Sequence, residues 1–335
     1  MKDENVVFMA INFWEAQKKA RSKTRLYLAL FLALTLLISA LVEYMMRNLA
    51  KDSYHPPIPL LGSAFLIITC GIALLEYSHY KAQGGAYVAR SLGARLIDGP
   101  ASNLKEQQLL NIVQEIALAS SLPVPSVYLV PTDAINAFTA GLTPKDAVIA
   151  VTKGSLDKLN REELQGVIAH EFGHIYNGDI KISMRLAAMV MGFFYALYIG
   201  IRILQYTSHS KERRKKKENS PVIIAALIIF LAGALTWIMG SILKAAVSRE
   251  REYLADACAV QFTRNSAGII QALIKIEKAA DEDMPLKGMA YSHLYFNDRI
   301  SLTSLFSTHP PIRKRIVALE GREYMPIEWR QDKIL

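Results

Sequence analysis

Long apolar runs constrain the fold of this chain more than any other feature of its sequence. The run from Leu26 to Met46 contains one charged residue, Glu43. A helix rises about 1.5 Å per residue, so this run matches the roughly 30 Å hydrocarbon layer of a bilayer. A second run, Ile58 to Leu75, opens in a Pro-rich turn and stops at Glu76. Together the two runs are predicted to form a transmembrane hairpin.

Basic residues beside these runs predict how the hairpin is oriented. Five of them precede the first run, whereas the connecting loop carries only Arg47 and Lys51. Cytoplasmic flanks of membrane spans are enriched in Lys and Arg, so the N-terminus and the chain after Glu76 are expected in the cytoplasm. The first run, Leu26 to Met46, also lacks the small-residue cleavage site of a signal peptide. We therefore predict that it is a retained membrane anchor.

The net charge of +9 over 335 residues does not predict nucleic-acid binding, because the basic residues crowd beside apolar runs and are expected to meet lipid headgroups. Two cysteines, Cys70 and Cys258, cannot build a disulfide framework, and a reducing compartment fits them best.

Two further apolar runs, Ile182 to Leu204 and Val222 to Val247, flank the basic loop Lys211 to Lys217. If both runs cross the membrane, the loop lies outside and violates the positive-inside tendency. If they only dip into the bilayer, the loop stays inside. The sequence alone leaves both arrangements open.

The segment between the two pairs of runs has the pattern of a soluble domain. Apolar positions from Gln108 to Leu118 recur at helical spacing and predict an amphipathic helix. Three short strands are predicted next, at Ser126 to Val130, Ile135 to Ala140 and Ala147 to Thr152, and they suggest a small antiparallel sheet. The middle strand mixes Asn136 with small residues, which suits either a sheet edge that a substrate strand joins or an ordinary strand between turns.

The letters HEFGH, from His170 to His174, match the H-E-x-x-H pattern of zinc sites. Asn160 and Glu163 stand at capping-box spacing, which predicts that a helix carries the motif. A spacing of four residues places both imidazoles on one helical face, close enough to share a tetrahedral Zn²⁺. Glu171 would then lie beside the open position, where it can take a proton from the attacking water. The alternative is a chance arrangement on a surface helix.

A catalytic zinc with two histidines needs one more protein ligand, and a carboxylate is the usual third. In SREREYLADAC, Glu252 and Asp256 are four residues apart and share a helical face, while Glu250 points elsewhere. We predict that Glu252 binds the metal and that Asp256 orients a ligand histidine through its second ring nitrogen. A charged, solvated helix face is the alternative. Because the ligands lie on either side of the later apolar runs, those runs must leave and return to the same membrane face.

Four motifs of this sequence, taken in chain order, resemble those of the HtpX-like membrane zinc metalloendopeptidases. Relatives of that family include the CAAX prenyl endopeptidase and the mitochondrial OMA-type proteases. The resemblance covers roughly Arg90 to Leu319, and the N-terminal block NFWEAQKKARSKTRLYL is also similar to that of membrane-anchored bacterial members. The motifs are NAFTAG at Asn136, LQGVIAHEFGHIYNGD at Leu164, SREREYLADA at Ser248 and STHPPIRKRI at Ser307.

The resemblance implies the same three ligands, one Zn²⁺ per chain, Glu171 as general base and Asp256 as a supporting residue of the metal site. It also implies that His309 and Arg315 stabilise the oxyanion in the cleft. Spacing alone would make His309 a cap residue before Pro310. The residues implied to line the substrate cleft are Asn136, Ala137 and Phe138.

The expected fold is mainly α with a small antiparallel β-sheet. It is a zincin-like metalloprotease domain with an N-terminal transmembrane hairpin and a second apolar hairpin inserted between the ligand helices. The expected divisions are a basic cytoplasmic N-terminus (1–25), the transmembrane hairpin (26–76), the first part of the protease domain (77–181), the second hairpin (182–247) with its basic loop (205–220), and the second part of the protease domain with the third ligand and the HPP segment (248–335).

The predicted function is a membrane-anchored zinc metalloendopeptidase that cleaves membrane or misfolded proteins at the cytoplasmic face of a bacterial inner membrane, in quality control and stress response. Its expected partners are protein or peptide substrates and the lipid bilayer, without nucleic acid, and its oligomeric state stays open. The alternatives are a processing enzyme for one partner and a non-catalytic zinc-stabilised scaffold. Glu171 argues against the scaffold, since a structural zinc site is closed by four protein ligands.

Overall fold

The computed structural model describes residues 13–97, 103–209, 221–279 and 310–320. The chain is mainly helical in these ranges, as predicted, and its helices surround one small sheet. The helices are α1 (Phe13–Leu49), α2 (Leu60–Gln83), α3 (Gly85–Ser91), α4 (Leu104–Ser120), α5 (Lys153–Lys158), α6 (Arg161–Tyr176), α7 (Asp179–His209), α8 (Pro221–Thr263), α9 (Ala267–Lys278) and α10 (Ile312–Leu319). The strands are β1 (Arg95–Leu96), β2 (Ser126–Val130), β3 (Ala137–Ala140) and β4 (Val148–Thr152).

Four helices in the described part of the chain are long and apolar enough to cross a membrane, and they coincide with the four predicted runs. The candidate spans are Ala29–Leu49, Leu60–Gln83, Asp179–Thr207 and Pro221–Gly240. The basic loop at Lys211 to Lys217 lies outside the described residues. The last span ends before the predicted Val247, but its helix does not end there: α8 is one unbroken helix of 43 residues that runs from Pro221 to Thr263. One helix therefore carries both a membrane segment and Glu252.

The hairpin of α1 and α2 is held at its turn by Glu43, the one charge in the first apolar run. Its Oε2 accepts hydrogen bonds from the backbone N–H groups of Leu61 and Gly62, at 3.0 and 3.1 Å, and from the Tyr54 hydroxyl at 3.0 Å. Arg47 donates to Oε1 at 2.7 Å. The carboxylate thus accepts hydrogen bonds from two of the free N–H groups that begin α2. These bonds offset the cost of a charged side chain within an apolar run.

Helices α7 and α8 pack as an antiparallel pair, as the position of the ligand candidates requires. Glycines allow their backbones to approach closely: a Cβ on Gly233 would lie 2.5 Å from the backbone nitrogen of Leu197, and one on Gly200 would lie 2.7 Å from that of Phe230. Small residues of this kind are common where membrane helices meet.

The sheet has the strand order β1-β2-β4-β3, and one detail of the predicted fold is corrected by it. The prediction was an antiparallel sheet, but β2 pairs in parallel with β4, so the sheet is mixed. Strands β1 and β3 pair antiparallel with β2 and β4. The reason is that β3 lies outside β4 instead of between β2 and β4, which leaves β3 at the sheet edge.

Helices cover both faces of the sheet, which explains why every residue of β3 and β4 is buried. On one face, apolar residues of α4, α6 and α9 pack against Ala137 and Ile149. On the other face, residues of α2, α3 and α7 pack against Phe138 and Val148. Helix α6 therefore packs between the edge strand β3 and helix α8.

The predicted capping box begins α6. Asn160 Oδ1 accepts from the backbone N–H of Glu163 at 2.9 Å, and Glu163 Oε2 accepts from the backbone N–H of Asn160 at 2.8 Å. Near the other end of the helix, a Cβ on Gly173 would lie 2.9 Å from Cα of Ala255. The absence of a side chain at this position lets α8 approach α6 closely enough for their side chains to share one site.

Candidate metal centre

Three side chains that can bind a metal converge between α6 and α8. His170 and His174 come from successive turns of α6, and Glu252 comes from α8. His170 Nε2 lies 3.6 Å from Glu252 Oε2, and His174 Nε2 lies 3.5 Å from Glu252 Oε1. One ligand atom from each of the three residues falls within 4.8 Å of the other two. His170 and Glu252 are buried, and His174 is partly exposed.

The separations fit a shared zinc ion. Ligand atoms about 2.0–2.1 Å from a tetrahedral zinc lie about 3.3–3.4 Å apart, close to the distances from Glu252 to the two imidazoles. Two imidazoles and one carboxylate are a ligand set of catalytic zinc sites, and they leave the fourth tetrahedral position open. The three residues are therefore suited to hold a metal ion with room for a water or a substrate oxygen.

Each histidine is oriented by a carboxylate on its other ring nitrogen. Asp256 Oδ1 lies 2.8 Å from His170 Nδ1, and Asp179 Oδ2 lies 3.2 Å from His174 Nδ1. With Nδ1 occupied in this way, both Nε2 atoms face Glu252, as metal ligands with a fixed tautomer require. The structure thus places Asp256 beside a ligand candidate, where the sequence predicted it.

Asp179 is a site residue that the sequence analysis missed. It is the first residue of α7, five positions after His174, and it follows Gly178, whose φ of 72° ends the preceding helix. An aspartate at the start of a helix is usually explained by the helix dipole, so its spacing did not mark it as a partner of His174. Arg251 on α8 lies 3.3 Å from its other oxygen.

Arg315, on α10, lies behind the metal centre. Its side chain is 1% exposed, and it donates from Nε and Nη2 to both oxygens of Asp256, at 2.9 and 2.7 Å. Nη1 also lies 3.5 Å from Glu252 Oε2. His309, with which the resemblance pairs it, lies outside the described residues.

The charges around the site shift the pKa values of its groups. Burial is the largest influence on the pKa of His174 and lowers it, but hydrogen bonds and charges from Asp179 and Glu252 outweigh burial and hold the pKa well above its ordinary value in the metal-free protein. Burial raises the pKa of Asp256, yet the charge and hydrogen bonds of Arg315 more than offset it, and the pKa is lowered. A proton and a metal ion therefore compete for His174.

Glu171 follows His170 on α6, and its side chain is buried. The hydroxyl of Thr139, on the edge strand β3, donates to Glu171 Oε2 at 2.6 Å. Thr139 stands in the NAFTAG motif, but the sequence pattern did not predict a role for it. Alternation along the strand would have placed it, with Ala137, on the face toward α6.

The residues predicted to line the substrate cleft are all buried. Ala137 and Phe138 pack into the cores on opposite faces of the sheet. Asn136 precedes β3, where its backbone N–H donates to the hydroxyls of Thr152 and Ser155 at 3.0 and 2.8 Å. What lies beside α6 is the edge strand itself.

A metal centre on an H-E-x-x-H helix, built into helices long enough to cross a membrane, defines a membrane metallopeptidase. The chain belongs to peptidase family M48, whose family model matches residues 103–323. This membership confirms the predicted class of enzyme, its dependence on a metal, its action on peptides or proteins and its membrane association.

Named relatives agree with the HtpX-like resemblance. A protein named Protease HtpX homolog from Streptococcus uberis is 41% identical over 212 residues, which cover 62% of this chain and 71% of the relative. The homolog from Streptococcus pyogenes serotype M5 is 40% identical over 215 residues, covering 63% and 72%. The crystal structure of S. mikatae Ste24p superposes with a TM-score of 0.45 and 17% identity, over 90% of this chain and 67% of that one.

Proposed function

We propose that this chain is a zinc metalloendopeptidase that hydrolyses membrane or misfolded proteins beside the cytoplasmic face of a bacterial inner membrane, as part of quality control under stress. One observation carries the proposal: His170, His174 and Glu252 converge on one point, next to Glu171, in a member of a metallopeptidase family. Imidazole and carboxylate ligands suit zinc, and the set holds one ion per chain.

In the proposed mechanism, a zinc ion held by His170, His174 and Glu252 would polarise the scissile carbonyl and activate the attacking water. Glu171 accepts a proton from that water and later delivers it to the leaving amine. Asp256 and Asp179 keep Nδ1 of His170 and His174 occupied, so that each Nε2 stays directed at the shared point.

The contacts of Arg315 favour a positioning role over the oxyanion role that the resemblance implies. Its guanidinium is buried and donates to both oxygens of Asp256, so it holds that carboxylate in its ionised form behind His170. The oxyanion role of His309 stays a prediction from the resemblance alone.

The edge strand β3 is the proposed docking place for substrate. Among the described strands it pairs with β4 alone, so its outer edge has no strand partner among them. Asn136 and all four residues of β3 are buried, backbone included, so an extended peptide would pair with this edge by main-chain hydrogen bonds once the edge is uncovered. Asn136, Ala137 and Phe138 would then contribute through their backbone.

The site lies close to the membrane-length helices, which supports substrates at the bilayer surface. Asp179, a contact of His174, is also the first residue of the third candidate span. Glu252 is 252 − 240 = 12 residues beyond the fourth span, or about 18 Å along α8. A peptide bond emerging from the membrane would be within reach of such a site.

The test uses the full-length protein purified in detergent with zinc and unfolded casein as the substrate. Wild type is expected to cut casein and to hold one zinc per chain. Glu171→Gln should hold the same zinc and leave casein intact. Equal cleavage by both proteins would refute the proposed mechanism.

Cellular tests separate the finer parts of the proposal. Proteomics of a deletion strain under stress should show membrane proteins whose fragments are lost, and Glu171→Gln should not restore them. Full rescue by Glu171→Gln would favour the scaffold. Protease accessibility at Lys215 tests the orientation, and an external Lys215 would exclude the arrangement in which the second hairpin only dips into the bilayer.

A further inference from the structure

The carboxylate of Glu171 is held from outside its own helix. Thr139 Oγ1 donates to Glu171 Oε2 at 2.6 Å and lies 3.4 Å from the backbone carbonyl oxygen of the same residue. Thr139 is 4% exposed and Glu171 is 1% exposed, so solvent offers little competition for this bond. A buried carboxylate without a donor is costly, and here a hydroxyl of the neighbouring strand supplies one.

The strand fixes the direction of this hydroxyl. Thr139 lies opposite Ile149 on β4, on the sheet face where Ala137 and Ile149 pack toward α6. A β-branched side chain has few χ1 choices in a strand, so the register of β3 sets where Oγ1 points. The side chain of Glu171 has no such constraint of its own, because its terminal torsion is broad.

We propose that Thr139 is a positioning residue for hydrolysis: its hydroxyl occupies Oε2 of Glu171 and turns Oε1 toward the attacking water. The inference rests on the proposed role of Glu171 as general base. A base must lie within about 2.6–3.2 Å of the atom whose proton it removes, and small errors in position cost rate more than binding. Loss of the hydroxyl should therefore lower kcat while KM and metal content stay the same.

The experiment compares Thr139→Val with Thr139→Ser in the full-length protein loaded with zinc. Valine keeps the branched shape and suits a strand, but it has no donor, whereas serine keeps the donor. A hydrogen bond to a charged group corresponds to about a ten- to hundredfold effect, so kcat of Thr139→Val should fall by that factor. Thr139→Ser should stay within a few-fold of wild type.

A matched control removes another buried hydroxyl. Thr236 is fully buried in α8, and its Oγ1 donates to the carbonyls of Ala232 and Gly233 in the same helix, at 2.8 and 3.0 Å. Thr236→Val should keep the kcat of wild type. Kinetics per bound zinc, together with the thermal midpoint of each variant, separate lost catalysis from lost folding.

The inference is overturned if Thr139→Val keeps wild-type kcat, if its loss disappears once activity is divided by bound zinc, or if Thr139→Ser falls as far as valine. These results differ from a failure of the proposed function. If Glu171→Gln is inactive while Thr139→Val is fully active, the inference about Thr139 alone fails. If Glu171→Gln is as active as wild type, the role of the base itself fails.

Discussion

The two candidate ligand histidines are supported by the same chemistry from two different parts of the molecule. His170 contacts Asp256, which pairs with Arg315, and none of these side chains is more than 2% exposed. His174 contacts Asp179, which pairs with Arg251, through distances of 3.2 and 3.3 Å and with 18% of the histidine exposed. The first support is closed and joins α6, α8 and α10. The second is looser, and its aspartate begins a membrane-length helix.

This difference teaches that one ligand histidine is supported by closed contacts among α6, α8 and α10, and the other by the first residue of a membrane-length helix. Disturbing the buried support should affect folding as well as metal binding. Disturbing the looser support should affect metal binding alone, and by less. Four experiments test this comparison, from the largest expected effect to the smallest.

Arg315→Met should have the largest effect, because it leaves the buried carboxylate of Asp256 without its cation. Removing one partner of a buried ion pair costs roughly 3–5 kcal/mol of unfolding free energy. Thermal unfolding of the metal-free protein in detergent measures it, and Arg315→Lys, which keeps the charge and loses the two-pronged contact, should fall between. An unchanged midpoint for Arg315→Met would mean that the buried support does not stabilise the fold.

Asp256→Asn should weaken zinc binding by about ten- to a hundredfold, the usual cost of losing the carboxylate behind a ligand histidine. Asparagine keeps the size of the side chain but removes the negative charge that Asp256 presents to His170 and Arg315. Competition with a zinc chelator of known affinity gives the change in Kd. A Kd equal to that of wild type would remove Asp256 from the metal site.

Asp179→Asn should weaken zinc binding less than Asp256→Asn does, by up to about tenfold, because its contact is longer and more exposed. The thermal midpoint of the metal-free protein should stay close to wild type. A larger effect on Kd than that of Asp256→Asn would reverse the proposed ranking of the two supports.

The smallest expected effect concerns Cys258, because the reactivity of its thiol reports only on the local packing of α6 against α8. Burial raises the pKa of its thiol to about 11, and its Sγ lies 3.6 Å from Asn177 Nδ2 where α6 ends against α8. The reactive thiolate is therefore scarce at pH 7. In a Cys70→Ser background, N-ethylmaleimide should label the folded protein far more slowly than the denatured one, and Asp179→Asn should change that rate little. Labelling at the speed of a free thiol would show that α6 and α8 separate readily.

Sequence patterns predicted what depends on neighbouring residues. The capping box at Asn160, the helix that carries His170 and His174, and the membrane-length helices all follow from local spacing or composition, and the structure has them. The same spacing brought Asp256 to the correct helical face. The roles of these residues in catalysis stay predictions.

What the sequence did not predict depends on contacts between distant segments. Three strands joined by short turns suggested an antiparallel sheet, but β3 crosses to the outer edge of β4 and leaves β2 and β4 parallel. Arg251 belongs to the segment for which a charged, solvated helix face was the alternative, and only the packing of α7 against α8 shows its side chain 12% exposed beside Asp179. The contact between Thr139 and Glu171 likewise depends on the register of β3 against β4, which the sequence did not predict.

Because α8 is one unbroken helix, a change in its tilt in the bilayer would be transmitted to Glu252 and, in the proposed mechanism, to hydrolysis. Glu252 lies about 18 Å beyond the candidate span, so a tilt of about 3° about the end of that span would move its carboxylate by about 1 Å. We therefore expect turnover to vary among vesicles of different acyl-chain length. A turnover that stays constant across such vesicles would show that the soluble core absorbs the tilt.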